Sequence, residues 1–275
     1  MARSNLTNRL LSALVAIPAL LALIYFGPPW GWALFLAVAL VVGALEFFAM
    51  THPTDRVSQV IGVVLSLAVY GMFWGFGTDA RVLVSVLLVY PMVALFVTLV
   101  RLGANETTGM RAFAMMFGPM WVGGGLATLA LVRRDAGDSG PGFVILALVL
   151  SWFSDTGAYF AGRFLGKHKL YEAVSPKKTV EGAIGGLTAA IVGAIVGHFF
   201  YLRTVPLDHA IILAIVAGGL GQAGDLGESM LKRSFGVKDS GGIVPGHGGI
   251  LDRVDALIVT GAFGYVYTLW FWPRP

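Results

Sequence analysis

The chain contains no cysteine, which excludes disulfides, thiolate metal ligands and a catalytic thiol. Charge is also scarce. Asp, Glu, Lys and Arg make up 12% of the 275 residues, against about 25% in soluble globular proteins. A surface this poor in charge does not suit water. Paired His spacing is missing, so a zinc site is not indicated. There is no Gly-x4-Gly-Lys-Ser/Thr loop and no dinucleotide fingerprint. No Ser-His-Asp pattern marks a covalent nucleophile. The apolar/polar alternation of a membrane barrel is absent, and no internal repeat is evident.

Long apolar blocks are abundant: 57% of residues are hydrophobic and the mean hydropathy is +0.79. A helix needs about 20 apolar residues to cross the hydrocarbon core. Nine blocks qualify, at approximately Leu10–Phe26, Trp32–Met50, Val57–Gly75, Val82–Val100, Phe113–Val132, Phe143–Ala161, Val180–Leu202, Ala210–Leu231 and Leu251–Trp272. A lone apolar segment in lipid must satisfy its backbone internally, so all nine are expected to be helices. The fold class is all-α, a polytopic membrane bundle. The first block has no small-x-small cleavage site after it and is expected to be a retained span.

Lys and Arg set the orientation. With the N-terminus inside, fourteen of the nineteen lie in inner segments and five in outer ones. The net charge of +4 therefore reads as topology, and no nucleic-acid partner is expected. Two inner loops, Gly162–Thr179 and Lys232–Ile250, are long, basic and rich in glycine. Long polar loops on a rigid scaffold are where function usually sits. Residues 1–141 read as scaffold spans and residues 142–275 as the catalytic region.

Charges inside spans are costly and usually functional. Glu46, Asp155, Glu181, Asp225 and Glu228 are such acids or nearly so. Glu46 reads as a buried acid paired with a base on another helix, with direct substrate or metal contact as the alternative. Ser151, Asp155 and Tyr159 share a helical face at spacing four. Asp225 and Glu228, three apart, are followed by Lys232 and Arg233, a layout suited to holding a cation and an anion together. Asp252 and Asp255, again three apart, stand at the start of the last span beside His247, Gly248, Gly249 and Arg253. Hard divalent cations take carboxylate oxygens and bridge to phosphate. Asp225 and Asp252 are the expected metal ligands, with Asp255 and Asp155 as second choices. Lys177, Lys178, Lys232, Arg233, Lys238 and Arg253 would neutralise phosphate oxygens.

The run Ser229-Met-Leu-Lys-Arg-Ser-Phe-Gly-Val-Lys-Asp-Ser-Gly-Gly-Ile-Val-Pro-Gly-His-Gly-Gly-Ile-Leu-Asp-Arg-Val-Asp255 resembles the signature of the phosphatidate cytidylyltransferases, or CDP-diacylglycerol synthases. Ser175-Pro-Lys-Lys-Thr-Val-Glu-Gly182 and Ser154-Asp-Thr-Gly-Ala-Tyr159 resemble other elements of that family. The resemblance implies that CTP and phosphatidic acid give CDP-diacylglycerol and pyrophosphate. It also implies Mg²⁺ dependence, with one or two ions and room for a second, different cation. A cytoplasm-facing site, in a bacterial plasma membrane, and often a homodimer are implied too. Ser175, Lys177, Lys178, Ser229, Lys232 and Arg233 would then hold CTP or lipid phosphates. Lys238, His247 and Arg253 would orient the triphosphate or the leaving pyrophosphate. Gly248 and Gly249 would let the backbone approach phosphate closely. The alternatives are a CTP-dependent polyprenol or phytol kinase and a membrane transporter. A CDP-alcohol phosphotransferase is disfavoured, because Asp-Gly-x-x-Ala-Arg is missing.

Overall fold

The computed structural model describes residues 2–77, 79–103, 105–241 and 248–272, with side chains from Leu14 onward. Nine helical rods follow one another: α1 Ala2–Phe26, α2 Pro29–Thr51, α3 Arg56–Phe76, α4 Ala80–Leu102, α5 Thr108–Asp135, α6 Gly140–Leu165, α7 Val180–Phe200, α8 Leu207–Ser234 and α9 Leu251–Phe271. Among the described residues, α2 to α9 are each long and apolar enough to cross a membrane, and α1 ends in the apolar stretch Leu14–Phe26. The polytopic all-α bundle is thus present, with eight of the nine expected spans in the expected order and a shorter described apolar stretch in α1.

Burial sorts the helices. In α5 72% of the apolar stretch is buried, in α4 only 22%. α5 therefore forms the centre, packed by α2, α3 and α9. α4 presents Leu88, Met92, Phe96 and Leu99 outward, each more than half exposed. Such a face is stable against lipid and unstable against water. Two helices carry a wider turn, at Pro119–Gly124 in α5 and at Ala214–Gly218 in α8. The first brings Gly123 against the Ser66 backbone of α3.

α6 and α7 pack most closely. A Cβ on Gly157 would lie 2.5 Å from Ala189 Cβ and 2.7 Å from the Gly185 carbonyl. Only small residues permit this approach, which is how membrane helices gain contact without a hydrophobic driving force. Between them lies one feature the spans did not anticipate. The Gly162–Thr179 loop contains an antiparallel pair, β1 Lys169–Tyr171 with β2 Ser175–Thr179, in the register Lys169↔Thr179 and Tyr171↔Ser175. Three paired residues in a loop of lysines leave no apolar alternation to read. Glu181 anchors this hairpin, accepting from the Lys167 and His168 amides at 3.0 and 3.2 Å and meeting His168 Nδ1 at 2.6 Å. At the α2–α3 turn, Asp55 accepts from Ser58 and pairs with Arg101 at 2.8 Å. Desolvation raises its pKa, but these partners outweigh it and hold the carboxyl down at about 2.

Candidate active site

One end of the bundle gathers the C-terminus of α2, the hairpin, the end of α8 and the start of α9. Contacts between them fix this placement: Glu46 reaches Leu251, Arg233 reaches Val174, and Lys178 reaches Asp225. Two sequence-distant basic loops thereby share one surface.

Two acid–lysine units stand there. In the first, Lys178 Nζ of β2 lies 2.8 Å from Asp225 Oδ2 of α8. The two charges meet as an ion pair without the alignment of a hydrogen bond. In the second, Lys232 Nζ lies 3.0 Å from Glu228 Oε2 and 2.5 Å from Asp252 Oδ1. Asp252 Oδ2 accepts from the Gly249 amide at 2.9 Å and the Ser240 amide at 3.2 Å. The spacing of four in α8 places Glu228 and Lys232 on one face. Asp252 stands in the first turn of α9, at the positive end of its dipole.

Further acids stand around these units. Asp155 interacts electrostatically with Asp225, Lys178 and Arg253, and Asp255 with Asp225 and Glu228. Glu228 is 1% exposed, and its Oε1 has no hydrogen-bond partner. Asp255 is 8% exposed; it accepts from the Ala256 amide at 2.7 Å and meets the Glu228 carboxyl group. Lys232 offsets part of this negative charge, and hard-oxygen donors of this kind fit Mg²⁺. Among the described residues no three His, Asp or Glu side chains enclose a metal position. Mg²⁺ usually takes one or two carboxylates and completes its shell with water and substrate phosphate, so this donor set is compatible with it.

Beside the first unit opens a cavity of about 420 Å³ whose polar lining includes Asp155, Arg163, Lys177, Lys178, Gln222 and Asp225. Three of these bases and two of these acids were candidates or charged positions in the sequence. Gln222 was not. Its Nε2 donates to Ser154 Oγ at 3.0 Å and to the Ala183 carbonyl at 3.1 Å, tying α8 to α6 and α7. A lone amide three residues before Asp225 in an apolar span was the available signal. Arg163 donates to Tyr159 Oη at 2.7 Å and stacks near its ring.

The other candidates are scattered more widely. Arg233 donates to the Val174 carbonyl at 3.4 Å and the Val237 carbonyl at 3.2 Å, bracing the hairpin against the end of α8. Lys238 and Arg253 are exposed, while Ser175 and Ser229 are half-buried. Gly248 has φ +79°, a conformation that glycine adopts without strain. Gly249 spends its amide on Asp252. His247 lies outside the described residues. Glu46 corrects the sequence reading: it is 4% exposed, but no basic side chain among the described residues pairs with it. It accepts from the Leu251 amide at 2.9 Å and from Ser240 Oγ at 3.4 Å instead. A helix start can supply such donors, and composition does not reveal which donor a buried acid meets.

The sequence profile described as "Cytidylyltransferase family" matches residues 7–271. The chain belongs to the cytidylyltransferase family. It is 42% identical over 157 residues to the phosphatidate cytidylyltransferase of Staphylococcus saprophyticus, covering 57% of this chain and 59% of that one. The corresponding protein of Bacillus subtilis is 43% identical over 132 residues, covering 48% and 49%. The chain thus spans about three-fifths or less of the length of these curated relatives. Within the family frame, the two acid–lysine units and the cavity beside them form its candidate active site.

Proposed function

We propose that this cytidylyltransferase-family protein transfers CMP from CTP to phosphatidic acid. A lipid phosphate oxygen attacks the α-phosphorus of CTP, the bond to the β-phosphate oxygen breaks, and pyrophosphate leaves. The product is CDP-diacylglycerol. The observation that carries the reading is the pair of acid–lysine units at one end of a membrane bundle, Lys178–Asp225, which lines a cavity, and Lys232–Asp252. The names of the relatives support the substrates.

The lipid phosphate is already an anion, so no dedicated general base is required. The residues bind, align and neutralise, which is the main demand of phosphoryl-type transfer. Lys177, Lys178 and Arg163 line the cavity and hold phosphate oxygens there. Lys232, fixed between Glu228 and Asp252, places a positive charge next to the acids. Asp225 and Asp252 would hold Mg²⁺, with Asp155, Glu228 and Asp255 adding negative charge nearby. Bound Mg²⁺ would offset the charge that accumulates on the triphosphate. Arg253 and Lys238, both exposed at this end, orient the leaving pyrophosphate.

The full chain in mixed micelles, given CTP labelled at the α-phosphate and phosphatidic acid, is expected to form labelled CDP-lipid. Chelating Mg²⁺ is expected to stop it. Release of CDP with transfer of the γ-phosphate would indicate a lipid kinase instead. No turnover with either acceptor would remove the reading.

The site faces the cytoplasm of a bacterial plasma membrane in this reading, because CTP is a cytoplasmic solute and the basic loops obey the positive-inside bias. The absence of cysteine gives a clean check. Ala173 and Ser234 are both exposed. A cysteine at either position is expected to react with an impermeant thiol reagent only after the inner face is opened. Labelling from outside intact cells would invert the orientation. A homodimer belongs to the same reading, and a particle mass of one chain in detergent would contradict it.

A further inference from the structure

Glu46 belongs to the N-terminal half, yet its carboxylate touches the stretches on both sides of the 242–247 segment. Oε2 accepts from the Leu251 amide at 2.9 Å and from Ser240 Oγ at 3.4 Å. The fit is steric as well as polar. A Cβ on Gly241 would lie 2.4 Å from Glu46 Oε1, 2.6 Å from its Cδ and 2.7 Å from its Cγ. A Cβ on Gly249 would lie 2.5 Å from Glu46 Oε2 and 2.2 Å from Ser240 Oγ. Real Cβ atoms do not tolerate such distances, so both glycines leave room for this acid.

The contacts continue to the site. Ser240 gives its hydroxyl to Glu46 and its amide to Asp252. Gly249 packs on Glu46 and gives its amide to the same Asp252 oxygen. The other Asp252 oxygen takes Lys232. From this geometry we infer that Glu46 is a positioning residue: it pins Ser240–Gly241 and Gly249–Leu251 so that Asp252 and Lys232 keep their relative placement. It is 4% exposed and covered by these stretches, so it acts through them and not on substrate. This also gives Gly249 a role other than close approach to phosphate. The consequence for catalysis rests on the function proposed above.

Two readouts separate the inference from that reading. Ser240 is 7% exposed, and Ser240→Cys in this cysteine-free chain reports release of the pinned stretch. Adding Glu46→Ala is expected to raise the thiol-labelling rate of that cysteine about tenfold or more, at a temperature well below the unfolding midpoint. An unchanged rate would overturn the inference whether or not the chain is active. If labelling rises but the parent forms no CDP-lipid, pinning stands and the function reading falls.

In kinetics, Glu46→Ala is expected to lower kcat about 10- to 100-fold, with both KM values within about twofold of the parent. Glu46→Gln keeps an acceptor for the Leu251 amide and is expected to recover kcat to within about fivefold of the parent. Gly241→Ala is expected to lower kcat about as much as Glu46→Ala, but to add no further loss in the Glu46→Ala background. Parental kcat in Glu46→Ala, or two losses that multiply, would overturn the inference. A lower unfolding midpoint with kcat intact would assign Glu46 to stability alone and also overturn it.

Discussion

Asp252→Asn is expected to lower kcat by about a thousandfold or more while leaving the chain folded in detergent. The reason lies in how both carboxylate oxygens are used. Oδ1 faces the Lys232 ammonium at 2.5 Å, and Oδ2 accepts from the Ser240 and Gly249 amides. Every one of these partners is a donor. An asparagine has one acceptor oxygen and one donor amide, so whichever way it turns, its NH₂ meets a donor. Lys232 would keep only Glu228 as a charged partner. Breaking one side of a buried ion pair costs roughly 3–5 kcal/mol of folding stability, so the melt should fall too, while a thousandfold loss in rate corresponds to about 4 kcal/mol in the barrier. The Lys232 and Asp252 side chains are 11% and 15% exposed, so screening reduces the lower end only modestly. Loss of a metal ligand would add to the effect. Steady-state kinetics beside a thermal melt in the same detergent checks this. Turnover within about threefold of the parent at ordinary Mg²⁺ would remove Asp252 from the reacting centre.

Asp225→Asn is expected to act more through chemistry than through stability. The Lys178–Asp225 pair is 27% and 32% exposed, and such a pair contributes roughly 0–1 kcal/mol to folding. The melt should therefore barely move. Turnover should fall about 100- to 1000-fold, because Asp225 is the acid that borders the cavity nearest the bases. Lys178→Gln should raise the apparent KM for phosphatidic acid more than that for CTP. Losing one charge-assisted hydrogen bond costs roughly 1.5–3 kcal/mol, or about 10- to 150-fold in binding. The double variant should lose less than the product of the single losses, since the two side chains face one another. Equal rises in both KM values, or independent losses, would mean that the two acid–lysine units serve one shared phosphate charge with no division between substrates.

Much of this protein was legible before any coordinates. Eight of the nine expected spans follow from apolar length alone, because lipid leaves a single chain segment only the helix as a way to satisfy its backbone. The acids Asp155, Asp225, Glu228, Asp252 and Asp255 could be picked out for the same reason: a charge placed among apolar residues must have a partner or a function. Spacing three put Asp225 with Glu228 on a common face, and the Glu228–Lys232 pair at spacing four emerged in the structure. The motif from Ser229 to Asp255 carried the family.

Pairing across distance needed the tertiary structure. Lys178 meets Asp225, and Lys232 bridges to Asp252, whereas the sequence placed the two basic clusters apart. Arg233 braces the Val174 and Val237 carbonyls, partners that its sequence neighbours do not reveal. Gln222 entered the cavity wall only when α6, α7 and α8 came together. Glu46 is the clearest case. Its sequence neighbours show a costly buried acid and nothing of its donors, which are an amide and a hydroxyl about two hundred residues away. Local spacing determines which side chains share a helical face. Which faces meet depends on close packing of the whole bundle, and that decided which acid each base serves and why Gly241 and Gly249 have no side chain.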